Sequence, residues 1–246
     1  MTALSVRIHS KRFGAGTPVL QDLHFKANTG EFVAIVGPSG AGKTTLLKVI
    51  SGLERDFSGA VETSTDVRTA LVFQEPRLMP WLTVAQNLCL VAPALSAQRV
   101  QALLASVKLH DCAARFPGQL SGGMQRRVAL LRAFIVQPNL LLMDEPFQSL
   151  DAPTAQQLRT LLMDLWQQAR PTVVFVTHSL PEALALADRV LFLSTGPSSV
   201  MLDYALPTPR SGDLTSTAVM ALQQDLLNQH PLLLQGAMGL GVAPAN

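Results

Sequence analysis

Apolar residues along this chain follow two rhythms. Short continuous runs at 32–36, 70–73, 140–143, 172–176 and 190–193 are bounded by glycine, proline or polar residues, which predicts strands covered on both faces. Helical stretches fall between them, and this alternation is the pattern of a parallel sheet flanked by helices, an α/β fold. From 83 to 116 the rhythm is helical alone, and across 97–109 Val100, Leu103, Leu104 and Val107 share one face. A helical lobe inserted into the sheet domain is expected there. Residues 1–13, with Arg7, Lys11 and Arg12, read as an amphipathic strand and lack the apolar stretch of a signal peptide. Beyond 206, Pro207, Pro209 and Gly212 precede a helical segment at about 214–228 and a Gly/Ala-rich end.

The most apolar region, 128–143, is interrupted by Arg132, Gln137, Pro138 and Asn139, short of the roughly 18 to 20 apolar residues a membrane helix needs. Membrane association is therefore expected only through a partner. With 48% hydrophobic and 15% charged residues the composition is globular and leans apolar, leaving some apolar surface for such a partner. A formal net charge of +2 without any block of like charges lacks the signature of a nucleic-acid binder. Cys89 and Cys112 have no metal-type spacing, and both fall in segments read as helical, so buried reduced thiols and a reducing cytosol are expected.

Gly37-Pro38-Ser39-Gly40-Ala41-Gly42-Lys43-Thr44-Thr45 matches the P-loop pattern, between the strand at 32–36 and a helix over 44–51. The glycines let backbone N–H groups close around phosphates, and the helix start adds its positive dipole end. Lys43 reaches the β- and γ-phosphates of ATP, and Thr44 supplies a hydroxyl for Mg²⁺. Leu140-Leu141-Leu142-Met143-Asp144-Glu145-Pro146 is an apolar strand ending in two carboxylates. Read alone it is more often a solvated turn. Beside a P-loop, Asp144 is suited to the Mg²⁺ shell and Glu145 to polarising the attacking water as general base.

Ser121-Gly122-Gly123-Met124-Gln125 opens a helix whose Val128, Leu131 and Ile135 mark one apolar face. Ser121 is a natural N-cap, and the glycines expose N–H groups at a positive helix end. This is a second anion site in a chain that already has one. Each phosphate motif occurs once and no internal repeat is present, so a two-site machine needs a second copy of the chain.

The stretch Leu120-Ser121-Gly122-Gly123-Met124-Gln125, lying between a P-loop and Leu141-Leu142-Met143-Asp144-Glu145-Pro146, resembles the ATP-binding subunits of ABC transporters over about residues 4–205. The resemblance implies a P-loop NTPase fold of RecA-like kind. Its nucleotide-binding core would be 1–83 with 138–205, with a small N-terminal antiparallel β portion, a helical subdomain at 84–137 and a C-terminal helical tail at 206–246. It also implies that Phe13 stacks on adenine, that Gln74 senses Mg²⁺ and the attacking water, and that His178 contacts the γ-phosphate. Ser149-Leu150-Asp151 becomes a loop communicating across a head-to-tail dimer in which Ser121, Gly122, Gly123 and Gln125 cover the other copy's ATP. Three positions depart from the family pattern: Gln148 where a small residue is usual, Ser179 where Asp is common, and Phe13 for the more frequent Tyr.

Gln74-Glu75-Pro76-Arg77-Leu78-Met79-Pro80-Trp81, the Met-Gln-Arg-Arg form of the signature and the lack of a long C-terminal regulatory domain look like the importer branch of nitrate, sulfonate and taurine systems. Pyrimidine-precursor importers are similar. The partners implied are permease subunits at the cytoplasmic face of the membrane, docking on Met79 and Trp81, and indirectly a solute-binding protein. The alternative is a non-transport ABC ATPase acting on a membrane complex or on nucleic acid. DNA-repair relatives carry long coiled coils and ribosome-bound relatives carry two cassettes, and neither feature is present.

Overall fold

The structure is a computed structural model of the 246-residue chain, and it describes residues 1–64, 66–207 and 212–238. Elements follow in the order β1 (Thr2–Lys11), β2 (Leu20–Asn28), β3 (Phe32–Val36), α1 (Lys43–Ile50), β4 (Ser58–Thr63) and β5 (Thr69–Val72). Next are α2 (Val84–Cys89), α3 (Ala97–Ser106), α4 (Gly122–Ile135), β6 (Leu140–Asp144) and α5 (Ala152–Ala169). The chain continues through β7 (Thr172–Thr177), α6 (Leu180–Leu186), β8 (Arg189–Leu193), β9 (Val200–Ala205) and α7 (Thr217–Gln229). These elements form two compact units: Met1–Asp66 with the described residues from Thr172 onward, and Val67–Pro171.

In the first unit β7, β3 and β8 lie side by side and parallel, with β9 antiparallel along the outer edge of β8. Every residue of β3 and β7 is buried, as expected of parallel strands with helices packed against them. α6 packs on β3 and β7, and α1 on β7. The Phe32 and Phe175 rings meet edge to face with centroids 6.1 Å apart. Val36 stands opposite Thr177, so Gly37 and His178 leave the sheet at the same end of neighbouring strands. The N-terminal antiparallel portion is a separate three-stranded sheet in the order β2-β1-β4, with Leu4, Val6 and Ile8 of β1 turned to its buried face.

The second unit is built around the parallel pair β5–β6 and the helices α2 to α5. Leu78, Val84, Leu88, Val100, Leu104, Val107, Val128 and Leu131 form one buried cluster. Because α4 packs on α5 and also on β5, this unit is larger than a lobe of helices alone and includes β5, β6 and α5. The helical periodicity across 97–109 continues past the helix itself. α3 stops at Ser106 because Lys108 takes a left-handed backbone (φ 58), with Lys108 N donating to Ala105 O and Leu109 N to Leu104 O. Such a Schellman end keeps Val107 and Leu109 buried beyond the last helical turn.

Cys112 corrects a second expectation: it is buried, but in the irregular segment after α3, while Cys89 ends α2 and is only half-buried. Both thiols are free. The C-terminal helix starts at Thr217, capped by Ser216, while Pro209 and the Gly/Ala-rich end lie outside the described residues. Among the described residues no helix is long and apolar enough to cross a membrane.

Candidate functional site

The loop from Gly37 to Gly42 joins β3 to α1. Gly42, the N-cap of α1, has a left-handed backbone (φ 72), and a Cβ there would come within 2.7 Å of Val19 Cγ1 and 2.8 Å of Leu20 Cδ2. Conformation and space both require glycine. No side chain caps α1, whereas Thr83, Ser96, Ser121, Asp151, Ser179 and Ser216 each cap the helix they precede. The N-cap position of α1 is thus a glycine with no side-chain oxygen to offer, at a positive helix end. Lys43 is buried and its ammonium folds back over the loop, donating to Gly37 O and Pro38 O at 2.8 Å each. Ala41 is buried, with its N–H donating to Pro38 O at 3.2 Å, and Pro38 and Thr45 are half-buried. Ser39, Gly40 and Thr44 are exposed.

Phe13 follows β1 and leaves 53% of its surface exposed. Beneath it the Lys11 ammonium sits 4.4 Å from the ring centroid, itself buried and ion-paired to Glu54 at 3.0 Å. That hydrogen bond from Lys11 holds the Glu54 carboxyl below its ordinary range. His178 is exposed at the end of β7. Ser179 caps α6, accepting from Glu182 N at 3.4 Å, so Ser here does the capping that an Asp could also do.

In the second unit Asp144 ends β6 with 7% of its surface exposed, and Glu145 follows in a left-handed conformation (φ 44) unusual for a non-glycine residue. Gln148 N donates to Glu145 O at 3.1 Å and closes this turn. Val72 is opposite Met143 in the parallel pair, so Gln74 and the turn at 145–148 emerge at the same sheet end. There Gln74 Nε2 donates to Gln148 Oε1, and Arg126 Nη1 donates to the Gln148 main-chain oxygen.

Ser121 caps α4 and is exposed. The two glycines after it differ. A Cβ on Gly123 would lie 2.5 Å from Thr154 Cγ2, so packing against α5 excludes one, whereas a Cβ on Gly122 would meet nothing within 4 Å. Gln125 turns back to its own approach loop, donating to Pro117 O at 3.0 Å and Leu120 O at 3.3 Å. Asp151 caps α5, accepting from Thr154 N at 2.9 Å and Thr154 Oγ1 at 2.8 Å, and the Thr154 N–H holds its carboxyl below the usual range. Both side chains are engaged within the chain.

Sequence reading gave no anchoring role to two polar residues that the structure shows as anchors. The first, the Gln148 carboxamide, is separated from Gln74 by most of the second unit's sequence. The second, Asn87, is fully buried and ties the loop before α2 together. Its Nδ2 donates to Met79 O, Leu82 O and Thr83 O, and its Oδ1 accepts from Met79 N at 2.8 Å. An amide on the apolar face of α2 is the only sequence signal for it. On that loop Met79 is half-buried and Trp81 is 70% exposed. Elsewhere, a cleft of about 630 Å³ beside β1, β2 and β9, lined by Arg7, His9, His24 and Lys26, contains none of the motif residues.

Residues 20–148 match the protein family described as ABC transporter. The chain is 38% identical over 242 residues to the aliphatic sulfonates import ATP-binding protein SsuB of Bacillus licheniformis, covering 92% of this chain and 94% of that protein. It is 44% identical over 210 residues to the aliphatic sulfonates import ATP-binding protein SsuB 1 of Pseudomonas savastanoi pv. phaseolicola, covering 84% and 88%. Among solved structures it resembles a dimeric, post-hydrolysis ATP-binding cassette bound to ADP and Pi, with TM-score 0.69 and 29% identity over 85% of this chain and all of that one. An ATP-binding subunit of an ABC transporter aligns with TM-score 0.72 and 29% identity, over 83% and 90% of the two chains.

Proposed function

This chain belongs to the ABC transporter family, and from that premise we propose that it drives uptake of aliphatic sulfonates, with each of its motif residues in the role set out here. It is the ATP-binding, ATP-hydrolysing subunit of an importer. The observation that carries the residue assignment is the α1 start: a helix entered through a left-handed Gly42 and overhung by Lys43, whose ammonium lies over the loop. Gly37, Pro38, Ser39, Gly40, Ala41, Gly42, Thr44 and Thr45 wrap the triphosphate with main-chain amides, and Lys43 neutralises its β- and γ-oxygens. Phe13 offers its exposed face to adenine.

Asp144, the Thr44 hydroxyl and the Gln74 amide oxygen are hard oxygen donors, few in number, which suits a magnesium ion that keeps phosphate and water in its shell. A magnesium ion held by these residues would supply positive charge to offset that developing on the phosphates. Glu145 takes the proton of the attacking water, and His178 holds the γ-phosphate. Gln125 and Asp151 shape the signature and the α5 start through the internal hydrogen bonds described above.

Two copies assemble head to tail, with Ser121 and Gly122 of one completing the nucleotide site of the other. The open space at Gly122 and the exposure of Ser121 support this. Glu145→Gln chains are expected to dimerise on ATP in size-exclusion chromatography with light scattering, and Ser121→Arg in the same background to stay monomeric. If the Ser121→Arg chains also dimerise on ATP, the shared-site assignment is wrong.

The permease docks on Trp81 and Met79 at the cytoplasmic membrane face, and a solute-binding protein delivers the cargo. Exposed indole on a loop braced by Asn87 supports the docking role. Trp81→Ala should change unfolding free energy by less than about 0.5 kcal/mol, as for an exposed side chain. It should leave ATP hydrolysis intact and reduce retention on permease-containing vesicles. Full retention would move the docking surface elsewhere.

A further inference from the structure

Gln148 is held at each of its main-chain polar groups. Its N–H donates to Glu145 O at 3.1 Å, and its carbonyl accepts from the Arg126 guanidinium on α4. From that fixed base its side-chain Oε1 accepts from Gln74 Nε2. Two segments are joined here, the loop that leaves β5 and the turn that carries Glu145. We infer that Gln148 is a positioning residue that holds the Gln74 carboxamide with its nitrogen toward position 148, leaving its oxygen for chemistry.

A glutamine amide has two ends of nearly equal size and opposite character. Only the oxygen can ligate a hard cation or accept a hydrogen bond from water. An unrestrained amide rotates between the two presentations. With its N–H end spent on Gln148 Oε1, Gln74 offers its Oε1. Glycine or alanine at position 148 would have no side-chain acceptor and could not make this contact. The inference rests on the reading of Gln74 as the residue facing the metal and the attacking water.

Two variants separate the possibilities. Gln148→Met keeps length but loses the acceptor. Gln148→Glu keeps an acceptor and can donate nothing, so it selects the same Gln74 orientation. The readouts are Mn²⁺ affinity in the presence of ATP, measured on the Glu145→Gln background from the electron paramagnetic resonance of free Mn²⁺, and steady-state kcat and KM in the otherwise unaltered chain. Gln148→Met is expected to weaken Mn²⁺ binding and lower kcat about five-fold each, the scale of one neutral hydrogen bond, with little change in KM for ATP. Gln148→Glu should remain within about two-fold of the unaltered chain, and on a Gln74→Ala background Gln148→Met should cause no further loss.

Equal losses in Gln148→Met and Gln148→Glu would overturn the inference, as would a Gln148→Met loss that persists undiminished on the Gln74→Ala background. Either result leaves the role of Gln74 standing. A Gln74→Ala chain with unchanged Mn²⁺ affinity and kcat removes the role of Gln74 itself, and the inference with it.

Discussion

Glu145→Gln is expected to bind ATP as the unaltered chain does and to hydrolyse it about 10²- to 10⁴-fold more slowly, the usual contribution of a positioned general base. The substitution keeps size and shape, and the turn that presents residue 145 is closed through the main chain by Gln148 N on Glu145 O. The left-handed backbone at 145 is unaffected by exchanging carboxylate for amide. What changes is basicity: the amide cannot take a proton from water near neutral pH. Single-turnover hydrolysis with protein in excess over ATP measures the chemical step without product release. A rate equal to that of the unaltered chain would assign the base to another residue.

Lys43→Ala is expected to weaken ATP binding about 10- to 100-fold, since charge-assisted hydrogen bonds to phosphate are lost. The ammonium is held over the loop by hydrogen bonds to Gly37 O and Pro38 O. Little binding energy is then spent on ordering a flexible side chain. Titration of a fluorescent ATP analogue would check the change. Unchanged affinity together with a folded protein would mean that Lys43 serves the loop and not the nucleotide.

How much of this was legible in the sequence depended on burial. β3, β6 and β7 are buried along their whole length, and their apolar runs announced them. β4 and β9 were not singled out, because a mostly exposed strand and an edge strand carry no such run. The P-loop was readable because its chemistry is consecutive in the chain. The pairing of Gln74 with Gln148 was not, because the parallel register of β5 and β6 sets it, and register is invisible in a single apolar run. The α3 end at Lys108 was missed for another reason: its left-handed turn falls on a lysine, where glycine would have marked it.

Phe13 and the Lys11 ammonium beneath it bear on the choice of fuel. A phenyl ring has no donor or acceptor, so if it is the platform for the base it responds to the area and polarisability of a flat heterocycle. It does not read the groups at the edge that distinguish adenine from guanine. The cation on its inner side draws electron density from the ring, which leaves an outer face receptive to any electron-rich purine. Recognition by such a surface is generic, and a guanine nucleotide would stack on it about as well as an adenine nucleotide. Any preference for adenine over guanine would then have to come from contacts to the edge of the base, and not from this platform.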